Sequence, residues 1–391
     1  MAVTFSAISM IGLNDSATGA LLPELEIYYH LPKDILSIVF LANVFGYLLS
    51  CVFSTPLEFR LGTRMTLMLS SASYVVATIL MLITPPFPVV VIALSLLGFG
   101  SGLFDAVLSS VTSHYIAEGG PGYVMSFLYA AFGVGATAAP FVVGGILDGG
   151  ASWQYYYVLP LAMTVVNGAL IMYYFRNYTM PPDEPEYKGN GSAWQRMATV
   201  VRMRPIQIAF GLFVVAFTTT DMISAWAVTW LRDVRGIEGG MAQYYLSFFW
   251  AGIAVGRIGL SWFAHRRGWS TKYSSMCFVS IMGALVLVMF FVPNRPLTAA
   301  LMALSGFFLG PCTPAVLYAI GQVVTPSQRS ASVSLVISVG LAGSAISPLV
   351  YGVVAKQSGL TSLPIVIVVL CAISCLLWLI FPERRSSRRD E

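Results

Sequence analysis

The chain has 391 residues, of which 57% are hydrophobic and only 10% charged, with a net charge of +4; mean hydropathy is +0.79 and the pI is about 8.7. A water-soluble domain carries about a quarter charged residues, so a soluble fold is excluded. Nucleic-acid binding is excluded too, because Lys and Arg are scattered through short loops and the tail, with no basic stripe interleaved with aromatics.

Apolar runs of about 20 residues, the length that crosses a bilayer, recur along nearly the whole sequence. Six helices are expected at 5–28, 34–55, 65–84, 89–115, 123–147 and 155–175. The first run lacks a positive leader and contains Asn14, Asp15 and Glu24, so it reads as a retained span, not a cleaved signal. Six more helices are expected at 206–230, 242–263, 273–292, 297–322, 332–354 and 363–381. The runs are continuously apolar and do not alternate, which favours helices over a β-barrel. The fold class is therefore an all-α membrane protein, with twelve transmembrane helices in two pseudo-symmetric bundles of six.

Between the two sets lies a polar stretch with PPDEPEYKGNGS at its centre, which reads as a linker. The expected organisation is a first bundle at 1–178, a linker at 179–204, a second bundle at 205–382 and a tail at 383–391. Basic residues crowd the linker, the tail and the loops on one side, including Arg60, Arg64, Lys188, Arg266 and Arg267. The opposite side receives Lys33, Arg232, Arg235, Arg295 and Lys356. By the positive-inside rule both termini and the linker face the cytosol. The sequons at Asn177 and Asn190 then stay unglycosylated. The expected location is the plasma membrane.

The halves repeat. A shift of about 206 residues places Asp15 on Asp221, Gly46 on Gly252, Gly62 on Gly268 and Gly100 on Gly306. A shift two residues longer aligns Gly135, Pro140 and Gly144 with Gly343, Pro348 and Gly352. In such repeats the solute site forms between the halves near mid-membrane.

Acids inside spans are rare and costly, and so are the first places to seek function. Asp15 lies about 11 residues into its span, close to mid-membrane at 1.5 Å per residue. A carboxylate that alternates between wet and apolar surroundings changes its affinity for a proton. The alternative is a structural Asp bonded to nearby backbone. Asp105, in the fourth span, reads as a second proton or solute ligand, or as one half of an ion pair. Asp221 follows Thr218, Thr219 and Thr220 and reads as a solute ligand or a structural hydrogen-bonding group. Arg257 lies about two turns inside the eighth span, where it serves a gate or ion pair or binds solute. Asn14, Asn43, Trp226 and Tyr318 are candidate cavity residues, although aromatics in bundles are mostly packing or interfacial anchors.

The spacings at Gly98–Gly102, Gly252–Gly256 and Gly306–Gly310 allow close helix approach. The run GFGSG has no strand before it and no acidic partner after it, so it is not a dinucleotide loop. Phosphate loops, zinc pairs and nucleophile elbows are absent from the sequence, and the three histidines share no plausible metal. The five cysteines read as reduced and apolar in role. No catalysis, metal or cofactor is expected.

The loop PLEFRLGTR (56–64) resembles the signature between the second and third helices of the major facilitator superfamily, with Glu58 and Arg60 where that family usually has an adjacent Asp-Arg pair. Its counterpart GRIGLSWFAHRRG (256–268) keeps the basic residues and loses the acid. The resemblance runs over the whole chain. More narrowly, GLNDSATGALLPELEIYY (12–29) and LLGFGSGLFDAVLSS (96–110) are similar to fungal relatives of the fucose-permease branch. The resemblance implies a secondary transporter that moves a small organic solute by alternating access, with Asp15 and Asp105 coupling to protons and Glu58, Arg60, Arg64 and Arg257 gating. It implies a monomer whose partners are the solute, protons and the lipid bilayer. An exporter of metabolites or drug-like compounds remains open, although GVGATAAPFVVGG (133–145) departs from the drug-antiporter pattern. A receptor that keeps the scaffold without transport also remains open.

Overall fold

The computed structural model describes residues 2–117, 123–176, 178, 201–324 and 332–382, apart from 333, 334, 338, 342 and 345. Residue 177, residues 179–200 and the tail 383–391 lie outside the described residues, and with them both sequon asparagines and most of the linker. Among the described residues there are helices and no strands. They are α1 (Ala2–Tyr29), α2 (Lys33–Leu36), α3 (Ile38–Leu82), α4 (Phe87–Ala117), α5 (Tyr123–Asp148), α6 (Val158–Tyr174), α7 (Arg204–Asp233), α8 (Met241–Arg266), α9 (Thr271–Phe291), α10 (Arg295–Leu309), α11 (Cys312–Val323), α12 (Ser347–Ser358) and α13 (Leu363–Ile380).

Ten stretches among the described residues are long and apolar enough to cross a membrane. The first helix is long enough, but the Asn14-Asp15-Ser16 centre and Glu24 and Glu26 lower its apolar character, so it is not among the ten. The expected eleventh span falls partly outside the described residues, where α12 is its continuous portion.

Two expected boundaries are corrected. The second and third spans, Lys33–Ser54 and Pro56–Leu82, are not separated by an irregular loop. Helix continues through Glu58 and Arg60 and turns at a single residue, Gly62, with φ 78° and ψ 161°. That backbone region is open to glycine and costly for residues with a β-carbon. Gly268, its counterpart 206 residues on, also has positive φ, at 63°.

The tenth span is not one helix. It begins at Asn294, whose Oδ1 accepts the Leu297 N–H at 3.0 Å, and breaks after Leu309 into α10 and α11. Pro311 has no N–H to give the Phe307 carbonyl one turn earlier. Gly256 of α8 lies over that freed oxygen, so close that a β-carbon there would stand 1.9 Å from it.

The described residues form two compact units. In the first, which holds α1–α6 together with 223–251 and 348–361, glycines set the helix spacing. A β-carbon at Gly12 would meet the Phe132 carbonyl at 2.0 Å, and one at Gly135 the Ser9 carbonyl at 1.9 Å, so α1 and α5 touch backbone to backbone. In the same way Gly46 of α3 lies against the Ser95 carbonyl of α4, and Gly98 lies against the Asn43 carbonyl. Small residues let helices approach closely where apolar lipid gives no hydrophobic drive to associate.

In the second unit, whose described residues fall within 201–222, 252–324, 332–347 and 362–382, α8 meets α10 by the same device. A β-carbon at Gly252 would reach the Ala303 carbonyl, and one at Gly310 the Ile253 carbonyl. Phe213, Val316, Ile320, Val336 and Trp378 form the apolar centre of this unit.

These contacts revise the register of the repeat. Gly46 faces Ser95 and Phe99, whereas Gly252 faces Ala303 and Phe307. Ser95 and Ala303 stand 208 residues apart, as do Phe99 and Phe307. The fourth span therefore matches the tenth at the longer shift. Gly98 and Gly102 correspond to Gly306 and Gly310, and the expected pairing of Gly100 with Gly306 is replaced.

Candidate functional site

The second span carries a polar stripe that serves two carboxylates. Asn43 Nδ2 donates to Asp15 Oδ1 at 3.4 Å, while Asn43 Oδ1 accepts from Asn14 Nδ2 at 3.2 Å. One turn later Tyr47 donates its hydroxyl to Asp105 Oδ2 at 2.6 Å, and Ser109 donates to Asp105 Oδ1 at 3.3 Å. Tyr129 of α5 lies near Ser109 and Asp105. Asn43 and Tyr47 are four residues apart, on one face and about 6 Å apart along the axis. One face of a single helix thus links the Asp15 cluster to the Asp105 cluster.

The sequence singled out Asp15, Asp105, Asn14 and Asn43, and the structure brings Asn14, Asn43 and Asp15 together. Tyr47 and Ser109 were missed. The i, i+4 spacing of Asn43 and Tyr47, and of Asp105 and Ser109, was available as a signal. Among the described residues Asp105 has hydroxyl partners and no ion pair. A 2.6 Å O–H···O contact is in the range of a charge-assisted bond.

The other candidates are dispersed. In the second unit Ser344, whose hydroxyl donates to the Leu341 carbonyl at 3.2 Å, lies beside Asp221, and Arg257 donates from Nε to the Gly310 carbonyl at 3.5 Å. Tyr318 is largely exposed on α11. Trp226 is fully buried. Its Nε1 donates to the Pro348 carbonyl at 3.1 Å, and its ring packs against Phe40 and Tyr351. In this conformation it presents no surface to a solute.

Glu58, Arg60 and Arg64 surround the turn at Gly62. Glu58 Oε1 accepts from the Thr63 hydroxyl at 2.9 Å, and Arg64 Nη2 lies 3.1 Å from Met172 Sδ, while Arg60 is exposed.

A constellation that the sequence reading did not assemble lies at the other ends of these helices, within the first unit. Arg232 Nη1 donates to Glu24 Oε1 at 2.5 Å. Lys33 Nζ bridges Glu26 Oε1 at 2.7 Å and Asp233 Oδ2 at 2.8 Å. Lys356 Nζ meets Asp34 Oδ2 at 2.6 Å. Asp148, the last residue of α5, accepts the Gly240 N–H at 2.6 Å and the Tyr244 hydroxyl at 2.8 Å. Behind the charges Gly19 of α1 lies against the Ser224 carbonyl of α7, which it can approach only without a side chain. Residues of the first six spans are thus clamped to residues of the last six.

Partly exposed ion pairs contribute about 0–1 kcal/mol each, so their strength is collective. Reversing one charge should matter more. Arg232→Glu places two carboxylates together and is expected to lower the melting temperature of the purified protein. The exchange Glu24→Arg with Arg232→Glu is expected to restore most of the loss. Equal destabilisation in the single and double variants would remove the pair from the clamp.

Comparisons agree with this architecture. The sequence profile of the Major Facilitator Superfamily matches residues 4–299 and 274–391. The chain is 22% identical over 403 residues to Bypass of stop codon protein 6 of Saccharomyces cerevisiae, covering 96% of this chain and 80% of that protein. It is 25% identical over 306 residues to the glucose/mannose transporter GlcP of Bacillus subtilis, covering 76% and 73%. Among solved structures, a D-xylose-proton symporter superposes with TM-score 0.74 at 13% identity, over 97% of this chain and 96% of that one. An inward-facing bacterial homolog of the human lysosomal transporter Spinster gives 0.76 at 11% identity, over 97% and 95%. At such identities the structural likeness shows the fold alone. The profile covers nearly the whole chain, and its members are transporters, not enzymes. This polytopic membrane protein belongs to the Major Facilitator Superfamily.

Proposed function

We propose that the chain is a proton-coupled secondary transporter of a small organic solute, in which Asp15 and Asp105 carry the proton and Asp221 contributes to solute recognition. The observation that carries this reading is Asp105, a carboxyl group inside a span whose described partners are the hydroxyls of Tyr47 and Ser109. Hydroxyls hold a carboxylate as donors and can also accept from a carboxylic acid. Such a setting accommodates both protonation states, as a proton carrier requires, whereas a fixed ion pair would favour the charged form.

Asn43 and Tyr47 on one helical face give the two acids a common support, so a movement of the second span would act on both. Similarity to a glucose/mannose transporter and to a D-xylose-proton symporter supports a polar solute and proton coupling. The narrower kinship with the fucose-permease branch, the plasma-membrane location and cytosolic termini belong to the same reading. The orientation is supported by the crowding of basic residues in the linker, the tail and the loops on their side.

The test is solute uptake into proteoliposomes with and without an imposed pH gradient, across a broad panel of solutes. The proposal expects accumulation in the compartment toward which the gradient drives protons together with solute. Tyr47→Phe, which removes the shorter bond to Asp105, is expected to alter the pH dependence of uptake while leaving the protein folded. Accumulation indifferent to the gradient would overturn proton coupling. Binding without exchange of any solute would favour the receptor reading.

A further inference from the structure

We infer that Arg257 is a ligand for a negatively charged group on the solute, and that the solute is an organic monoanion, a carboxylate. The inference rests on the transporter reading above and names the class of its substrate. Arg257 lies seven residues before Ala264, where the eighth span ends, which puts it about 10 Å inside by helical rise. An arginine at such depth is held against a cost and normally pairs with an acid.

Among the described residues no acid pairs with it. Among the described residues its side chain makes one long hydrogen bond, from Nε to the Gly310 carbonyl at 3.5 Å. A guanidinium has five N–H donors arranged to match a carboxylate through two parallel bonds. Among the described residues most of that capacity has no protein partner.

The side chain does not point toward the lipid-facing side of its helix. Val255, Ile258 and Trp262 are exposed and share one face of α8 by their i, i+3, i+7 spacing. Arg257 falls on the opposite face with Ile253 and Ala264, both buried. The packing holds it there. Gly256 beside it lies on the Phe307 carbonyl, and Gly310 is close enough that a β-carbon would stand 2.7 Å from the Arg257 backbone nitrogen.

Away from helix ends, Arg257 is the only cation in the described spans of the second unit, and Asp221 the only acid. Asp221 forms no ion pair with Arg257. Arg257 carries one positive charge with no acid against it among the described residues, which matches one negative charge on the ligand. A monocarboxylate supplies that charge in the geometry that the guanidinium recognises.

The test is binding to the purified full chain at one fixed pH, without a membrane gradient, read as the shift in melting temperature. The probes are sodium acetate, lactate, pyruvate and benzoate, with sodium chloride at equal ionic strength and the neutral sugars glucose and xylose as controls. At least one carboxylate is expected to stabilise the protein beyond the chloride control. Arg257→Gln is expected to weaken that binding about 10- to 100-fold, the effect of losing a charged hydrogen-bond partner. Should Arg257→Gln not fold, Arg257→Lys keeps the charge without the fork and is expected to bind the same carboxylate about 10-fold more weakly.

Stabilisation by the neutral sugars alone, by none of the probes, or by a carboxylate equally in wild type and variant would overturn the inference. In the last case Arg257 reverts to a gating role. The assay does not involve proton coupling, so failure of the gradient-driven uptake test would leave this result standing, and the reverse holds too.

Discussion

Asp105→Asn is expected to reduce gradient-driven accumulation of solute to the level of passive equilibration, while exchange of solute across the membrane without a gradient survives. Asn keeps an oxygen able to accept the Tyr47 hydroxyl, now 2.6 Å from Oδ2, and places an amide beside Ser109. The fold should therefore tolerate the change. What the side chain loses is the ability to ionise.

Asp15→Asn should act in the same direction, because Asn43 donates to Asp15 and can donate to an amide oxygen equally well. Asp221→Asn is expected to weaken solute binding and keep the pH dependence. Uptake into proteoliposomes under imposed pH gradients, scored beside counterflow exchange, separates these outcomes. If Asp15→Asn and Asp105→Asn both accumulate solute with unchanged pH dependence, these acids do not carry the proton.

Gly46→Leu is expected to prevent accumulation of folded protein, the largest stability effect of the changes considered. Even the first added carbon would stand 1.8 Å from the Ser95 carbonyl and 2.7 Å from the Phe99 nitrogen. Both obstacles are backbone, so the second and fourth spans must separate. Overpacking a well-packed interior typically costs about 1–3 kcal/mol and occasionally more, and here it would also displace the Asn43–Tyr47 stripe from its acids.

Gly259→Ala provides the comparison. No atom of a neighbour lies within 4 Å of that added carbon, and Ala is the better helix former by about 1 kcal/mol. The yield of folded, monodisperse protein in detergent should fall steeply for the first variant, while yield and melting temperature should hold or rise slightly for the second. Equal behaviour of the two would show that the glycine contact does not set the helix spacing.

The apolar runs alone determined that this is a polytopic helical membrane protein, because each span must satisfy its own backbone hydrogen bonds in lipid. The same reasoning identified Asp15, Asp105, Asp221 and Arg257, since a charge in an apolar run stands out without any knowledge of its neighbours. Tertiary structure decided who those neighbours are. Tyr47 and Ser109 are ordinary polar residues in sequence and become the partners of Asp105 only when the second and fourth spans meet. Trp226 reads as a cavity residue in one dimension and is a packed, hydrogen-bonded core residue in three.

The clamp from Glu24 to Arg232 and from Asp34 to Lys356 joins residues more than 200 positions apart, and no local periodicity connects them. The repeat shows the division most clearly. Matching glycines by type put Gly100 on Gly306, but the carbonyls that Gly46 and Gly252 touch, those of Ser95 and Ala303, move the correspondence to Gly98 and Gly306. Glycine has no side chain to mark its role in the sequence, so only the backbone lying against it reveals which glycines are equivalent.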